Sequence, residues 1–159
     1  MLIAVISDTH DNLFRLEKAI EEIKKKNIKT IFHCGDIGLK TIERLKIENF
    51  IVYMVCGNGD YFPEIKNIIN NSNIRLFDEA GETEIDDKKI AITHQLDLAR
   101  LLAKTGKYNI VFHGHSHKRS EETLDNTLII NPGDIEGRYK NPSFLIYDTI
   151  LNKFEFINI

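Results

Sequence analysis

Short apolar runs of strand length alternate with helical periodicity through the first third of the chain, and this alternation restricts the fold more than any other feature. Leu2 to Ser7, Thr30 to Cys34 and Ile51 to Cys56 are apolar almost throughout, as strands buried on both faces are. Between the first two, Leu13 to Lys26 sets Leu13, Leu16, Ala19, Ile20 and Ile23 on one helical face, with Asp11 or Asn12 placed to cap it. A shorter helix around Thr41 to Lys46 has a modest apolar face. The order reads βαβαβ with parallel strands. From about residue 74 the pattern changes to short strands with tight turns. Thr83 to Ile85 meets Lys89 to Thr93 across Asp86-Asp87, Glu121 to Leu124 meets Thr127 to Asn131 across Asp125-Asn126, and Ser143 to Asp148 meets Lys153 to Asn158. One helix at about Asp97 to Thr105, which Gly106 can end, interrupts them. Two packed sheets with outer helices accommodate the whole, an α/β fold. No repeat or linker divides the 159 residues, so one domain over 1–159 is expected.

Several function classes are disfavoured. The net charge of -3 gives no basic footprint for long nucleic acids. The longest apolar run, Phe50 to Cys56, is far shorter than the roughly 20 residues of a membrane-spanning helix. No basic region precedes Leu2 to Ile6, so no secretory signal is read there. Cys34 and Cys56 are too few for a disulfide framework, and a cytoplasmic location is expected. The sequence leaves homo-oligomerisation open.

The chemistry-bearing residues gather just after the strands. Asp8 and His10 follow the first, Asp36 the second and Asn58 the third; later apolar runs are followed by His94 and by His113-Gly114-His115-Ser116-His117. Parallel strands deliver their following loops to one edge of a sheet. Singly these signals are weak, since Asp8 and Asp36 are ordinary turn residues and a lone histidine is more often structural. Gly114-His115-Ser116-His117 is the strongest, because alternate residues of an extended loop present two imidazoles together. Five strand ends each supplying nitrogen or oxygen donors point to a divalent ion such as Mn, Fe, Ni, Zn or Co, and the lack of a cysteine cluster argues against structural zinc.

The order Asp-x-His, Gly-Asp, Gly-Asn, His, Gly-His-x-His from Asp8 to His117 resembles the signature of the calcineurin-like metallophosphoesterase superfamily. The Asp8-Thr9-His10-Asp11-Asn12 opening and the Asn131-Pro132-Gly133 segment are similar to its small bacterial and archaeal phosphodiesterase branch. The resemblance implies a four-layer sandwich of two mixed β-sheets flanked by α-helices. It implies two divalent metal ions, one held by Asp8, His10, Asp36 and His117 and the other by Asp36, Asn58, His94 and His115. Asp36 would be the bridge, because a carboxylate can span ions about 3.5–4 Å apart while offsetting their repulsion. The implied reaction is attack on a small phosphate diester by a hydroxide held between the ions. The Asn58 amide is the implied substrate contact, and Asn12, just after the first metal loop, is a candidate second one or simply the cap of the first helix.

One departure stands out. Members with the full motif carry Gly-Asn-His-Asp/Glu, whereas this chain has Gly57-Asn58-Gly59-Asp60, so the histidine often credited with protonating the leaving group is absent and no catalytic side chain is assigned. General acid catalysis is worth roughly 10²- to 10⁴-fold, felt most with poor leaving groups. The alternatives are a non-catalytic metal-binding scaffold, as in the retromer subunit of this fold, a phosphomonoesterase or a nuclease; retention of seven ligand-type residues favours the enzyme. His33 is expected either to orient a ligand or to sit at a strand end, His113 is unassigned, and the cysteines are expected to fill small core spaces. Asn131-Pro132-Gly133-Asp134 is expected either to close the far side of the site or to be an ordinary turn, and Arg138 and Tyr139 in the following loop are candidates for contacting a phosphate or an aromatic group.

Overall fold

The structure, a computed structural model, describes residues 1–70 and 72–159. Its first sheet contains β1 (Leu2–Ile6), β2 (Thr30–His33), β3 (Ile51–Val55) and β4 (Ile74–Phe77), all parallel, with the terminal hairpin β10 (Ser143–Asp148) and β11 (Lys153–Asn158) added in the order β11-β10-β1-β2-β3-β4. β10 runs antiparallel to β1, with Val5 opposite Leu145. The second sheet has the order β5-β6-β7-β9-β8, from β5 (Ala80–Ile85), β6 (Lys88–Thr93), β7 (Ile110–Phe112), β8 (Ser120–Leu124) and β9 (Thr127–Asn131). Here β6, β7 and β9 are parallel, and β5 and β8 are antiparallel edges.

Strand alternation explains the layering. In β1, Ala4 and Ile6 face Leu16, Ala19, Ile20 and Ile23 of α1 (Leu13–Lys25), with α2 (Leu39–Ile47) and α3 (Phe62–Ile68) on the same side. Ile3 and Val5 face the other way, into a second core with Phe32, Tyr53, Ile90, Ile92, Phe112 and Tyr147 between the sheets. Ala91, Val111 and Ile129 turn outward from the second sheet against Ala99 and Ala103 of α4 (Leu96–Lys104). Helix, sheet, sheet and helix therefore form the expected four layers. Phe32 stacks on Tyr53 at 4.9 Å and tilts against Phe112 at 6.0 Å, so aromatic rings tie the two sheets together. Full burial of one such ring contributes about 1.5–3 kcal/mol. The relative placement of the two sets of strand ends rests on this packing.

Two elements extend the sequence reading. α3 has only Ile65 fully buried, too little periodicity to stand out, and β4 reaches the first sheet as a fourth parallel strand rather than opening the hairpin-rich half. α2 is longer at both ends than Thr41 to Lys46, and in its first turn Asp11 accepts from Thr41 N at 2.8 Å across the space between loops. The Asp86-Asp87 turn has both φ values positive, as a tight two-residue hairpin requires. Among the described residues, no helix is long and apolar enough to cross a membrane.

Candidate metal centre

The carboxyl ends of β1, β2 and β3 in one sheet and of β6 and β7 in the other open onto a common space, where all seven sequence-selected residues meet. His94 Nε2 lies 3.5 Å from Asp36 Oδ2 and 3.1 Å from Asn58 Oδ1. His115 Nδ1 lies 3.0 Å from the same Asn58 oxygen and 3.2 Å from His94 Nε2. On the other side, His10 Nε2 is 3.5 Å from Asp36 Oδ2, and His117 Nε2 is 3.5 Å from Asp8 Oδ1. Asp36 Oδ2 thus faces one histidine from each half. Asp8, His10 and His117 offer donor atoms within 4.8 Å of one another, as do Asp8, Asp36 and His94.

Each carboxylate is anchored by one oxygen and presents the other. Asp8 Oδ2 accepts from Ser7 Oγ at 2.5 Å and from His115 N at 3.1 Å, while Asp36 Oδ1 accepts from Gly59 N at 2.8 Å. His94 Nδ1 sits 2.7 Å from the Cys34 carbonyl, so that nitrogen donates and Nε2 turns its lone pair inward. Close backbone approach is a precondition. A Cβ on Gly57 would fall 2.2 Å from Asp36 Oδ1, and one on Gly114 would fall 2.0 Å from Ser7 Oγ. Asp8, His10, Asp36, His115 and His117 all have positive φ, a conformation unusual outside glycine that concentrates at functional sites.

Burial works to raise Asp8 above the ordinary carboxylate range, against the opposing Ser7 hydrogen bond. Burial also works to raise Asp36, but the nearby His94 imidazole, the Gly59 N–H and His10 outweigh it and bring it down to about 2. His94 is the converse, with burial opposing and the Asp36 carboxylate winning, so its value rises. The donors suit a divalent cation. Asp8 Oδ1 is fully buried and has no hydrogen-bond partner among the described residues, a costly arrangement that a cation held beside His117 Nε2 would relieve. Nitrogen, carboxylate and amide donors without thiolate fit a borderline metal. Burial pushes the Cys56 thiol up to about 12 and Cys34 well above its usual value, leaving neither to act as a thiolate.

The surrounding residues divide by what they touch. Asn12 Oδ1 accepts from Arg15 N at 3.2 Å, capping α1, and its amide donates to the Glu136 carbonyl at 3.2 Å. Asp60 is turned onto the backbone, accepting from Ile37 N, Gly38 N and Gly57 N. His33 accepts from Gly35 N at 3.3 Å through Nδ1 and meets Thr9 Oγ1 at 2.6 Å through Nε2, between Asp8 and His10. Burial lowers His33 to about 3 and His113 to about 4, so both are neutral imidazoles. Arg138 Nη1 reaches to 3.3 Å from His117 Nε2, and the Tyr139 ring packs edge-on to His117 at 6.4 Å. Asp134, 3.0 Å from His117 Nδ1, is legible in the sequence only within a segment that either closes the far side of the site or forms a turn, not as a partner of a ligand. It follows β9, which runs parallel to β7, so the strand-end rule extended to one more strand would have found it.

Comparison with known proteins agrees with the fold. The sequence model of the calcineurin-like phosphoesterase superfamily domain matches residues 1–150. Phosphodiesterase MJ0936 of Methanocaldococcus jannaschii is 37% identical over 157 residues, covering 94% of this chain and 93% of that protein. A solved archaeal phosphodiesterase superposes with a TM-score of 0.89 at 34% identity over the full length of both chains. Vps29 of Entamoeba histolytica, solved with zinc, shares the fold at a TM-score of 0.70 and 18% identity, covering 100% of this chain and 98% of that one.

Proposed function

The chain belongs to the calcineurin-like phosphoesterase superfamily, and from that premise we propose that it is a metal-dependent phosphodiesterase acting on small phosphate diesters. The observation that carries the proposal is the buried, unpartnered Asp8 Oδ1 facing His117 in a cluster of seven metal-type donors. In this reading Asp8, His10, Asp36 and His117 hold one ion, Asp36, Asn58, His94 and His115 hold the other, and residues 1–159 act as one domain. The metals are drawn from Mn, Ni, Fe, Zn and Co. When bound, the ions supply Lewis acidity, neutralising charge on the phosphoryl oxygens and lowering the pKa of the attacking water.

The chain's own groups orient the reaction. Asn58 directs its oxygen at His94 and His115, which leaves its amide N–H bonds for a phosphoryl oxygen. Asn12 serves as a second amide only by exchanging the Glu136 carbonyl for substrate. Gly59 brings no imidazole, so the leaving group takes its proton from water or from the substrate itself. The preference for diesters over monoesters is drawn from the archaeal phosphodiesterase likeness found in both sequence and structure. Two free cysteines without a disulfide suit work in a reducing cytoplasm.

Chelation is expected to abolish cleavage of bis-p-nitrophenyl phosphate, and Mn²⁺ or Ni²⁺ to restore it, with slower turnover of p-nitrophenyl phosphate. Protein carrying a verified two equivalents of metal that cleaves neither substrate would overturn the enzyme reading in favour of a scaffold. Faster cleavage of the monoester would make it a phosphomonoesterase.

A further inference from the structure

His117 is held from both edges of its ring. Nε2 faces Asp8 Oδ1 inside the cluster, and Nδ1, on the opposite edge, meets Asp134 Oδ2 at 3.0 Å. Both residues are buried, at 7% and 1% exposure, so water does not compete for this contact. The carboxylate is itself fixed: Oδ2 also accepts from Arg138 N at 2.7 Å, and the Asp134 carbonyl accepts from Ser143 N at 2.9 Å. Gly133 N donates to Asn131 Oδ1 at 2.9 Å, closing the turn that delivers Asp134 from the end of β9.

A neutral imidazole carries one N–H and one lone pair, and the acceptor on one nitrogen dictates which nitrogen can bind a metal. With Asp134 on Nδ1, the proton resides there and Nε2 is left as the acceptor, 3.5 Å from Asp8 Oδ1 and 3.3 Å from the Arg138 Nη1 donor, which an ion beside Asp8 and His10 would displace. We infer that Asp134 is a positioning residue for the ion held by Asp8, His10 and His117: it sets the tautomer and rotation of His117, and through them the affinity for that one ion. The inference rests on the two-ion reading above. His117, Asp134 and Glu136 also lie close enough to hold an ion themselves. That arrangement would break the Nδ1 contact, compete with Arg138 N for Oδ2, and leave Asp8 Oδ1 buried without a partner.

Calorimetric titration of chelator-treated protein with Co²⁺, with the visible cobalt spectrum recorded in parallel, tests the assignment. Wild type is expected to take up two equivalents. Asp134→Ala weakens one of them by about 10- to 100-fold, the usual effect of losing the partner behind a metal-binding histidine, and leaves the other unchanged. Asp134→Asn, which keeps an acceptor for Nδ1–H, recovers most of the loss. In a His117→Ala background Asp134→Ala has no further effect on affinity, because it acts through that ring. Should the alanine variant not fold, Asp134→Ser, too short to reach Nδ1, replaces it. Equal weakening of both ions, an undiminished Asp134→Ala titration, or a full effect persisting without His117 overturns the inference. A third equivalent lost with Asp134 favours the rival ion site and likewise overturns it. Wild type binding fewer than two equivalents refutes the two-ion reading instead, and the inference falls with it.

Discussion

Restoring an imidazole at position 59 is the most informative perturbation of the proposed chemistry. Gly59 is exposed and its φ is not positive, so a side chain is conformationally allowed. A Cβ there would stand 3.3 Å from Asp36 Oδ1, an approach relieved by a shift of a few tenths of an ångström. The cost falls at or below the low end of overpacking, about 1 kcal/mol, and the reduced freedom of the unfolded chain offsets about 0.4–1 kcal/mol of it. Gly59→His should therefore fold with a thermal midpoint within about 4 °C of wild type. A well-held general acid contributes roughly 10²- to 10⁴-fold. Here Asp60, the carboxylate next in sequence, is already bound to Ile37 N, Gly38 N and Gly57 N and is not free to orient the new ring. The expected gain is consequently at the lower end, about 10²-fold in kcat/KM for a dialkyl phosphate and close to none for bis-p-nitrophenyl phosphate, whose leaving group needs no proton. The assay is the ratio of the two rates at equal metal occupancy. An equal rise on both substrates, or no rise on the alkyl ester in a folded, metal-loaded variant, refutes the reasoning.

Asp36→Asn keeps the shape of the side chain but removes the anion facing both His10 and His94; kcat/KM should fall by more than about 10²-fold, with reduced metal uptake measured by mass spectrometry. Full activity with two ions retained would remove Asp36 as the bridge. His33, held neutral by burial at about 3, gives chelator-treated protein a defined acid sensitivity. Below the unfolded value of about 6.5 the unfolded chain binds a proton that the folded one refuses, so stability is present above that pH and is lost as pH falls toward 3. The contribution is about 2 kcal/mol between pH 7 and pH 5, and urea unfolding of His33→Gln should show the pH dependence reduced by that amount. Asp60→Ala deprives three loop N–H groups of their acceptor and should cost about 2–4 kcal/mol in urea unfolding; a loss below 0.5 kcal/mol would mean water replaces the carboxylate.

Local pattern carried much of this protein. Apolar runs such as Leu2 to Ser7 and Ile51 to Cys56 are readable as strands because both of their faces are buried, one against helices and the other against the second sheet. The seven donors were legible for a related reason: a parallel strand ends where its loop begins, and Asp8, Asp36, Asn58, His94 and His115 each stand shortly after such a run. α3 and β4 were not legible: each has a single buried residue, Ile65 and Ile74, and neither is marked by a tight hairpin of the kind that betrays the edge strands β5, β8 and β11. Pairwise geometry was also beyond reach. That His94 donates to the Cys34 carbonyl, that Asp60 serves backbone amides rather than an imidazole, and that Asp134 stands behind His117 depend on contacts across 60, 23 and 17 residues of chain. Periodicity records which face of an element is buried. Only the packing of the two sheets, fixed by Phe32, Tyr53 and Phe112 between them, decides which strand ends meet and which oxygen of each carboxylate is left to face a metal.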